Sequence, residues 1–370
     1  MILHIHSRYR AAGGEERAVE DLIWLVREHL GEEAELLERR SGSVGRAAAA
    51  AGLIGGGLRP EQVAAAVRAT RARIVHAHNL HPTFGWRALA AARQAGARVV
   101  LHLHQYRMVC AVGVCFRDGA ECTRCHGRHT LPGIVHNCRG SALEAAAYGA
   151  GLALWQRRLA READAFVVPS RFAHERLLAL GAPLRRTFVI PHVTRELLDA
   201  PAARPGGPAV VAARLVAEKG IEVAIDACAI AGVALVVAGD GPERRRLEHD
   251  HPSVTFAGAL ERDALHALRM TASIALVPSL SAESFGLAAA EAMAAGLPVA
   301  GSRVGALPEL VPAEWLAAPG DAPALAAAIT RLRSDPAAPA QALARARAVT
   351  APGAVAPRLA AAYASALTPR

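Results

Sequence analysis

The sequence predicts an α/β protein made of two Rossmann-like domains, and three observations support this. The chain has 370 residues, which favours two domains of about 170 to 190 residues over one ordinary hydrophobic core. Short apolar strands alternate with helical stretches in both halves, as in parallel sheets. A stretch rich in proline and glycine, residues 199–208, separates the halves and is predicted to be the linker.

The first predicted domain, residues 1–198, opens with a strand, a glycine loop and an amphipathic helix. These are predicted at residues 1–7, 11–14 and 15–30, with Val19, Leu22, Ile23, Val26 and Leu30 on one helix face. No G-x-G-x-x-G is present, so a dinucleotide fingerprint is not predicted. Gly13 and Gly14 either let the backbone approach a ligand or form only a tight turn. Further elements are predicted as strands at 73–78, 97–104, 165–168 and 188–190, a helix at 141–161 and a helix opened by Ser170.

Polar side chains gather at the ends of two strands of this domain. They are His76, His78, Asn79, His102 and His104. Open α/β sheets bind ligands outside the carboxyl ends of their strands. One histidine at a strand end is usually structural, but several around one sheet edge favour a pocket.

Residues 105–141 interrupt the alternation and contain four spaced cysteines. Cys110, Cys122, Cys125 and Cys138 form the pattern C-x11-C-x2-C-x12-C. This spacing favours a closed four-thiolate zinc site, which would be structural because four thiolates leave no open position for chemistry. Reduced thiols without metal are the alternative, and other residues complicate the choice of ligands: Cys115, His126, His129 and His136.

The second predicted domain, residues 199–353, repeats the strand and helix alternation. Its strands are predicted at 209–213, 234–238, 254–256, 274–277 and 299–301, and later helices from Pro323 and Pro339. The stretch from Glu283 to Gly296 predicts a loop followed by a helix that begins near Gly286. The first N–H groups of a helix favour a phosphate, whereas Glu283 and Glu291 suit sugar hydroxyls. Alternatively, Glu283 only favours the helix dipole and Glu291 is a solvated helix residue.

The charge balance points to an anionic ligand. The net charge is +9, and Lys219 is the single lysine among 42 basic residues. A lysine kept in so arginine-rich a chain favours a site that needs a compact ammonium, although chance survival would also explain it. Arg214, Lys219 and the helix start near Gly286 all follow strands and are expected at one sheet edge. Two cations and a helix dipole suit a diphosphate leaving group, whose charge grows as its bond breaks.

Composition argues against several other classes of protein. No aromatic-interleaved basic stripe indicates nucleic-acid binding, so no nucleic-acid partner is expected. The longest uncharged apolar run, residues 47–58, is too short and too rich in glycine to span a bilayer. With no visible signal peptide, we expect a cytoplasmic protein, and the positive charge is compatible with peripheral association at the inner membrane face.

These motifs together resemble those of family-four retaining glycosyltransferases with the GT-B fold, in which two Rossmann-like domains face each other across a cleft. The resemblance rests on Glu283-x7-Glu291, Arg214-Leu215-x3-Lys219-Gly220, Gly239-Asp240-Gly241-Pro242 and His104. It is strongest to a bacterial subgroup with a cysteine-rich insertion in its first domain, matched here by His104-Gln105-Tyr106-Arg107-x2-Cys110, Phe116-Arg117-Asp118-Gly119, Cys122-x2-Cys125 and Cys138-Arg139-Gly140-Ser141.

The resemblance implies transfer of a sugar from a nucleotide-diphosphate donor to a sugar, lipid-linked or small-molecule hydroxyl acceptor, without a catalytic metal. It also implies that Glu291 would hold the ribose, that Glu283 would hold the donor sugar, and that Arg214 and Lys219 would contact the diphosphate. The backbone amides of Phe285, Gly286 and Leu287 would face sugar and phosphate. His104 would lie over the donor sugar, and Gly13 and Gly14 would lie near phosphate and acceptor. The first domain would bind the acceptor, and a C-terminal helix of about residues 354–370 would pack back on it. Ala213, Gln105 and His192-Val193 depart from the family pattern, which affects the acceptor side most.

Two other functions remain open at this point. Nucleotide-sugar epimerases share the fold, and fold alone does not separate them from transferases. A non-catalytic partner protein with a zinc-stapled face is the third hypothesis. The Glu283 and Glu291 element favours transfer.

Overall fold

The structure, a computed structural model, describes residues 1–9 and 13–368. Half of the predicted glycine loop at 11–14, residues 11 and 12, falls outside these residues, and Gly13 and Gly14 are described. Contacts divide the chain into two compact units. The first contains residues 1–115, 122–193 and 355–370, and the second contains residues 116–121 and 194–354.

The first unit is built on a six-stranded parallel sheet. The strands up to residue 193 are β1 (Ile2–Arg8), β2 (Ala34–Arg40), β3 (Ile74–Ala77), β4 (Arg98–His102), β5 (Phe116–Arg117), β6 (Ala120–Glu121), β7 (Ala165–Val168) and β8 (Thr187–Val189). The sheet has the order β2-β1-β3-β4-β7-β8, and its described pairs are parallel. The β5 and β6 strands form a separate two-stranded hairpin in the cysteine-rich segment.

Helices cover both faces of this sheet. The helices before residue 194 are α1 (Gly14–Leu30), α2 (Arg46–Gly55), α3 (Pro60–Thr70), α4 (Gly85–Gln94), α5 (Leu131–Val135), α6 (Ala142–Glu162) and α7 (Arg171–Ala179). One core contains Val63 and Val67 of α3 and Leu89 of α4. Another contains Val19 and Leu22 of α1 together with residues of the C-terminal helix. Ser170 caps α7 as predicted, because its hydroxyl accepts a hydrogen bond from the Ala173 amide at 2.9 Å.

The second unit is also organised around a six-stranded parallel sheet. Its strands are β9 (Ala209–Ala212), β10 (Leu235–Ala238), β11 (Thr255–Gly258), β12 (Ile274–Val277), β13 (Val299–Ser302) and β14 (Leu316–Ala317). They have the order β11-β10-β9-β12-β13-β14. Because β9 lies between β10 and β12, the loops that follow these three strands are neighbours at one sheet edge.

The remaining helices follow the predicted alternation. They are α8 (Ile221–Ala231), α9 (Arg244–Asp250), α10 (Arg262–Arg269), α11 (Leu287–Ala294), α12 (Leu307–Leu310), α13 (Ala322–Ser334), α14 (Ala338–Thr350) and α15 (Pro352–Leu367). Val355, Leu359 and Tyr363 of α15 are buried in the same core as α1. Two Rossmann-like α/β domains are therefore present, and the predicted fold class is confirmed.

Candidate functional site

The loop between β12 and α11 ends at a glycine that the geometry requires. Gly286 has φ +96°, a left-handed conformation that favours glycine, and an added Cβ would lie 2.5 Å from Leu307 Cδ2. The helix then begins at Leu287, where the sequence predicts it. Its first amides have no carbonyl partner within the helix, so the turn presents the positive end of the helix dipole beside the loop.

Lys219 lies at the same sheet edge as the start of α11, as predicted, and there it forms an ion pair with Glu283 that the sequence analysis did not predict. Lys219 Nζ donates to Glu283 Oε1 at 2.5 Å, and Ser279 Oγ donates to the same oxygen at 2.6 Å. Burial alone would raise the pKa of Glu283, but the charge and hydrogen bond of Lys219, the Ser279 hydroxyl and the charge of Arg214 outweigh it and lower the pKa. Glu283 is therefore a carboxylate near neutral pH.

Arg214 lies beside this pair at the end of β9. Its guanidinium is 3.5 Å from Glu218 Oε1, and half of its side chain is exposed. The loop after β10 packs closely here, since an added Cβ at Gly239 would lie 1.8 Å from the Ala213 carbonyl oxygen. Only glycine fits at that position, which explains the Gly239-Asp240-Gly241 run. Two cations thus stand at the sheet edge where the sequence predicts them.

Glu291 occupies a different environment inside α11. Arg269, at the end of α10, donates to Glu291 Oε2 at 2.5 Å, and the two side chains are 6% and 13% exposed. The carboxylate therefore is not a solvated helix residue, which contradicts the alternative interpretation of the sequence.

Two members of this second-unit site were missed by the sequence analysis. Ser279 is buried and orients Glu283, and Arg269 is buried and holds Glu291. For Ser279 the signal was its position two residues after β12. For Arg269 no local signal exists, because an arginine at a helix C-terminus normally satisfies the dipole and is exposed.

The first unit carries a histidine array at the strand ends of its sheet. We use this name for His4, His6, His76, His78, His102, His104 and His192, all of which are buried. The rings of His102 and His104 stack with centroids 4.0 Å apart, and those of His104 and His192 lie 5.2 Å apart. Hydrogen bonds join His4 Nδ1 to His78 Nε2 at 3.0 Å and His78 Nδ1 to His104 Nε2 at 2.9 Å.

Six of the seven rings of the array are uncharged at neutral pH. Burial lowers the pKa of His4 and of His104 to about 3, and it holds the pKa of His76, His78, His102 and His192 well below the usual value. Neutral rings can stack closely where imidazolium ions would repel one another.

Sequence reasoning found four of the seven members and missed the others. His4 and His6 of β1 and His192 after β8 were not predicted as members. The missed signal is a repeat: His-x-His occurs at 4–6, 76–78 and 102–104, on three neighbouring parallel strands. Period-two spacing places both histidines of each pair on one face, and the pairing of His4 with His76 sets the strands in register.

A cavity of about 60 Å³ lies against part of the array. Its lining includes His78, His102 and His104 together with Tyr9, Glu15 and Gln105. Gln105 Nε2 donates to Tyr9 Oη and to Glu15 Oε2, both at 2.6 Å. Burial raises the pKa of Glu15. The cavity therefore combines ring faces with a small set of fixed polar groups.

Glu16 accepts hydrogen bonds from two backbone amides near the start of α1. The amide of Gly13 donates to Glu16 Oε2 at 2.8 Å, and the amide of Tyr9 donates to Glu16 Oε1 at 3.0 Å. His6 Nε2 lies 3.7 Å from the same carboxylate. Gly13 precedes α1 as its N-cap, and Gly14 is the first residue of the helix. The ligand role of these two glycines stays a prediction.

The four predicted zinc ligands lie in one region of the first unit. Burial, together with the neighbouring Cys110, Cys138 and Cys122, raises the pKa of Cys125 to about 11. The Cys115 thiol donates to Cys110, which lowers the pKa of Cys110 to about 5. Among the described residues, however, no three of these sulfurs lie within 4.8 Å of one another. Zinc at the cysteines stays a prediction.

Comparison with known proteins agrees with the fold. Residues 9–192 match the family model "Glycosyl transferase 4-like domain", and residues 208–335 match "Glycosyl transferases group 1". Together the two models span most of the chain, and the chain belongs to the family-four group of glycosyltransferases that they describe.

Several individual proteins of known function or structure are also similar to this chain. A GDP-mannose-dependent α-(1-6)-phosphatidylinositol dimannoside mannosyltransferase of Mycobacterium tuberculosis is 40% identical over 132 residues, 33% of this chain and 34% of that protein. The solved structure of a sucrose-phosphate synthase from Thermosynechococcus elongatus aligns with a TM-score of 0.70 and 22% identity over 98% of both chains. Anabaena HepE in complex with UDP and glucose aligns with a TM-score of 0.63 and 19% identity, over 98% of this chain and 99% of that one.

The matches to curated relatives are partial. The chain spans between about a third and about half of the length of the curated relatives that it matches. In the part of the chain that the structure describes, no helix has the length and hydrophobicity needed to cross a bilayer.

Proposed function

We propose that the protein is a retaining glycosyltransferase that moves a sugar from a nucleotide-diphosphate donor to a hydroxyl of a sugar, lipid-linked or small-molecule acceptor. The observation that carries the proposal is the Lys219–Glu283 pair beside the start of α11, with Arg214 at the same sheet edge. This arrangement joins a carboxylate suited to sugar hydroxyls to groups suited to a phosphate.

Each group of the second unit then has a defined task. Lys219 has three N–H donors, of which Glu283 accepts one, so the ammonium can also donate to the diphosphate. Arg214 and the first amides of α11 add positive potential as the leaving group gains charge. Glu283, fixed by Ser279, accepts from the sugar, and Glu291, fixed by Arg269, accepts from the ribose.

The first unit is proposed to receive the acceptor. Its cavity offers Glu15, Gln105 and His104, a set that recognises hydroxyl groups through hydrogen bonds. Retention would proceed by attack on the same face of the sugar from which the diphosphate leaves, with no catalytic metal. Gly13 and Gly14 are proposed to approach phosphate and acceptor through their backbone.

The donor nucleotide is the first quantity to measure. The relatives described above include a GDP-mannose-dependent enzyme and a structure with bound UDP. Thermal unfolding in the presence of UDP, GDP, ADP and dTDP should show a clear rise in Tm with one of them, because a ligand at a hundred times its Kd stabilises a fold by about 2.7 kcal/mol.

Transfer itself is tested with that nucleotide's sugars and a panel of hydroxyl acceptors. Nucleotide release should depend on the acceptor, and the NMR coupling of the anomeric proton should show retained configuration. Release that is independent of every acceptor would favour an epimerase, inverted product would refute retention, and no nucleotide binding would favour a non-catalytic partner protein.

We also propose that Cys110, Cys122, Cys125 and Cys138 hold a structural zinc ion. Thiolates are the ligands that such sites use, and the spacing of the four cysteines supplies a set of four. Metal analysis of the purified protein should find zinc that Cys125→Ser loses and that the control Cys228→Ser, in the core of the second unit, retains. Intact thiols without zinc would refute this proposal.

A further inference from the structure

The histidine array brings together three ring nitrogens that could bind a metal ion, apart from the proposed cysteine site. We propose that a divalent ion of the zinc class binds between His78, His102 and His104 in the first unit. One ligand nitrogen from each ring lies within 4.8 Å of the other two. The three residues are at most 8% exposed.

The distances suit zinc after small ring movements. Zinc–nitrogen bonds of about 2.0 to 2.1 Å in a tetrahedral site place ligand nitrogens about 3.4 Å apart. His78 Nδ1 and His104 Nε2 are 2.9 Å apart and must separate slightly. His102 stacks on His104 with a 4.0 Å centroid separation, so one of these rings must rotate about its side-chain bonds before both nitrogens face the same ion.

The surrounding hydrogen bonds fix the tautomer that such a site needs. When His78 Nδ1 binds the ion, its hydrogen stands on Nε2, which lies 3.0 Å from His4 Nδ1 and donates to it. A ligand histidine that donates from its other nitrogen is the usual second layer of a metal site. His102 gains a partner as well, since neither of its ring nitrogens has a hydrogen-bond partner among the described residues.

Charge and access also favour this position. Glu16, whose pKa is lowered because hydrogen bonds from His6 and from backbone amides outweigh its burial, supplies a negative charge next to the array. The three proposed ligands line the 60 Å³ cavity, which leaves room for a water or small ligand at the fourth coordination position.

A second histidine group is less suitable. His4, His76 and His78 also place ligand atoms within 4.8 Å. His76 Nδ1 is engaged with Tyr363 Oη at 2.8 Å, and neither His4 nor His76 is among the residues that line the cavity. This group has no comparable path for an entering ion, and both groups need His78.

The test uses cobalt as a spectroscopic probe in the full-length Cys125→Ser protein, which removes a thiolate of the proposed cysteine site. Titration with Co²⁺ should saturate at one ion per chain and give the visible bands of a tetrahedral site without thiolate charge-transfer absorption. His102→Phe in the same background keeps a ring of similar shape and should weaken binding at least tenfold. The control His249→Ala, at an exposed position of the second unit, should bind as the parent does.

Three results would overturn the proposal: no bound cobalt, unchanged affinity in a folded His102→Phe variant, or thiolate charge-transfer bands. If His102→Phe does not fold, anomalous diffraction at the zinc edge from Zn²⁺-soaked crystals of the unmodified protein decides. An ion between the three rings supports the site, and only water there refutes it.

An activity measurement adds a separate arm that rests on the proposed function. Zn²⁺ that occupies His104 should inhibit transfer, and a chelator should restore it. Binding without inhibition would overturn the role proposed for His104 and leave the ion site in place, so the two failures are distinguishable.

Discussion

The two sheets carry different kinds of side chain at the ends of their strands. In the first unit the face is made of buried imidazoles, six of which burial keeps neutral. In the second unit it carries the ion pair of Lys219 with Glu283, whose side chains are 24% and 15% exposed. Both sheets are parallel and six-stranded. The backbone therefore decides where functional groups gather, and the residues after each strand decide which ligand they suit.

This difference in side chains determines which groups each sheet can bury without a partner. Neutral rings stack within 4 to 6 Å of one another and gain from burial. A carboxylate or a guanidinium at similar depth requires its partner, because an unpaired buried charge is costly. The following changes probe that distinction, from the largest expected effect to the smallest.

Arg269→Leu should cause the largest loss of stability. It leaves the Glu291 carboxylate without its buried partner, and breaking such a pair costs about 3 kcal/mol. Urea unfolding measures the loss. Adding Glu291→Gln should recover part of it, while the control Arg246→Leu, at an exposed arginine, should change unfolding little. An Arg269→Leu protein as stable as the parent would show that the charged face does not depend on this pair.

Lys219→Ala should lower kcat by about 100- to 1,000-fold while the protein stays folded, since it removes a charge that stabilises the leaving diphosphate. Steady-state kinetics and thermal unfolding measure the two properties. Lys219→Arg keeps the charge but changes its shape, and should retain part of the activity. The exposed Arg245→Ala is the control. Near-normal turnover of Lys219→Ala would refute the assigned role.

The smallest expected effect is the pH dependence of the stability that Glu283 contributes. Because the pKa of Glu283 is lowered in the folded protein, its contribution to stability is present above the unfolded pKa and is lost as the pH falls through the folded value. The difference in unfolding free energy between the parent and Glu283→Gln should be largest near pH 6, below about 1 kcal/mol, and should shrink as the pH falls below the unfolded pKa. Urea titrations at several pH values measure it. A difference that grows with acid would contradict the pKa direction.

Most of the fold was predictable because alternating strands and helices follow directly from hydrophobic pattern. The strand β2 was missed, since its sequence Ala-Glu-Leu-Leu-Glu-Arg-Arg is polar and it lies at the sheet edge, where burial leaves no clear pattern. Arg214, Lys219 and the helix start near Gly286 were predicted to share one sheet edge because they follow neighbouring strands, but the ion pair of Lys219 with Glu283 was not predicted. Arg269 was not predicted either, because its contact with Glu291 depends on how α10 packs, which no local spacing encodes.

The C-terminal helix has a consequence for how the protein is made. Tyr363 hydrogen-bonds His76 across 287 residues of chain, and Val355 and Leu359 fill a core of the first unit. A ribosome that has finished residue 193 has produced every strand of the first sheet but not this covering helix. The second unit, whose residues run nearly unbroken from 194 to 354, can close during synthesis. The domain that begins the chain is thus the last to be completed.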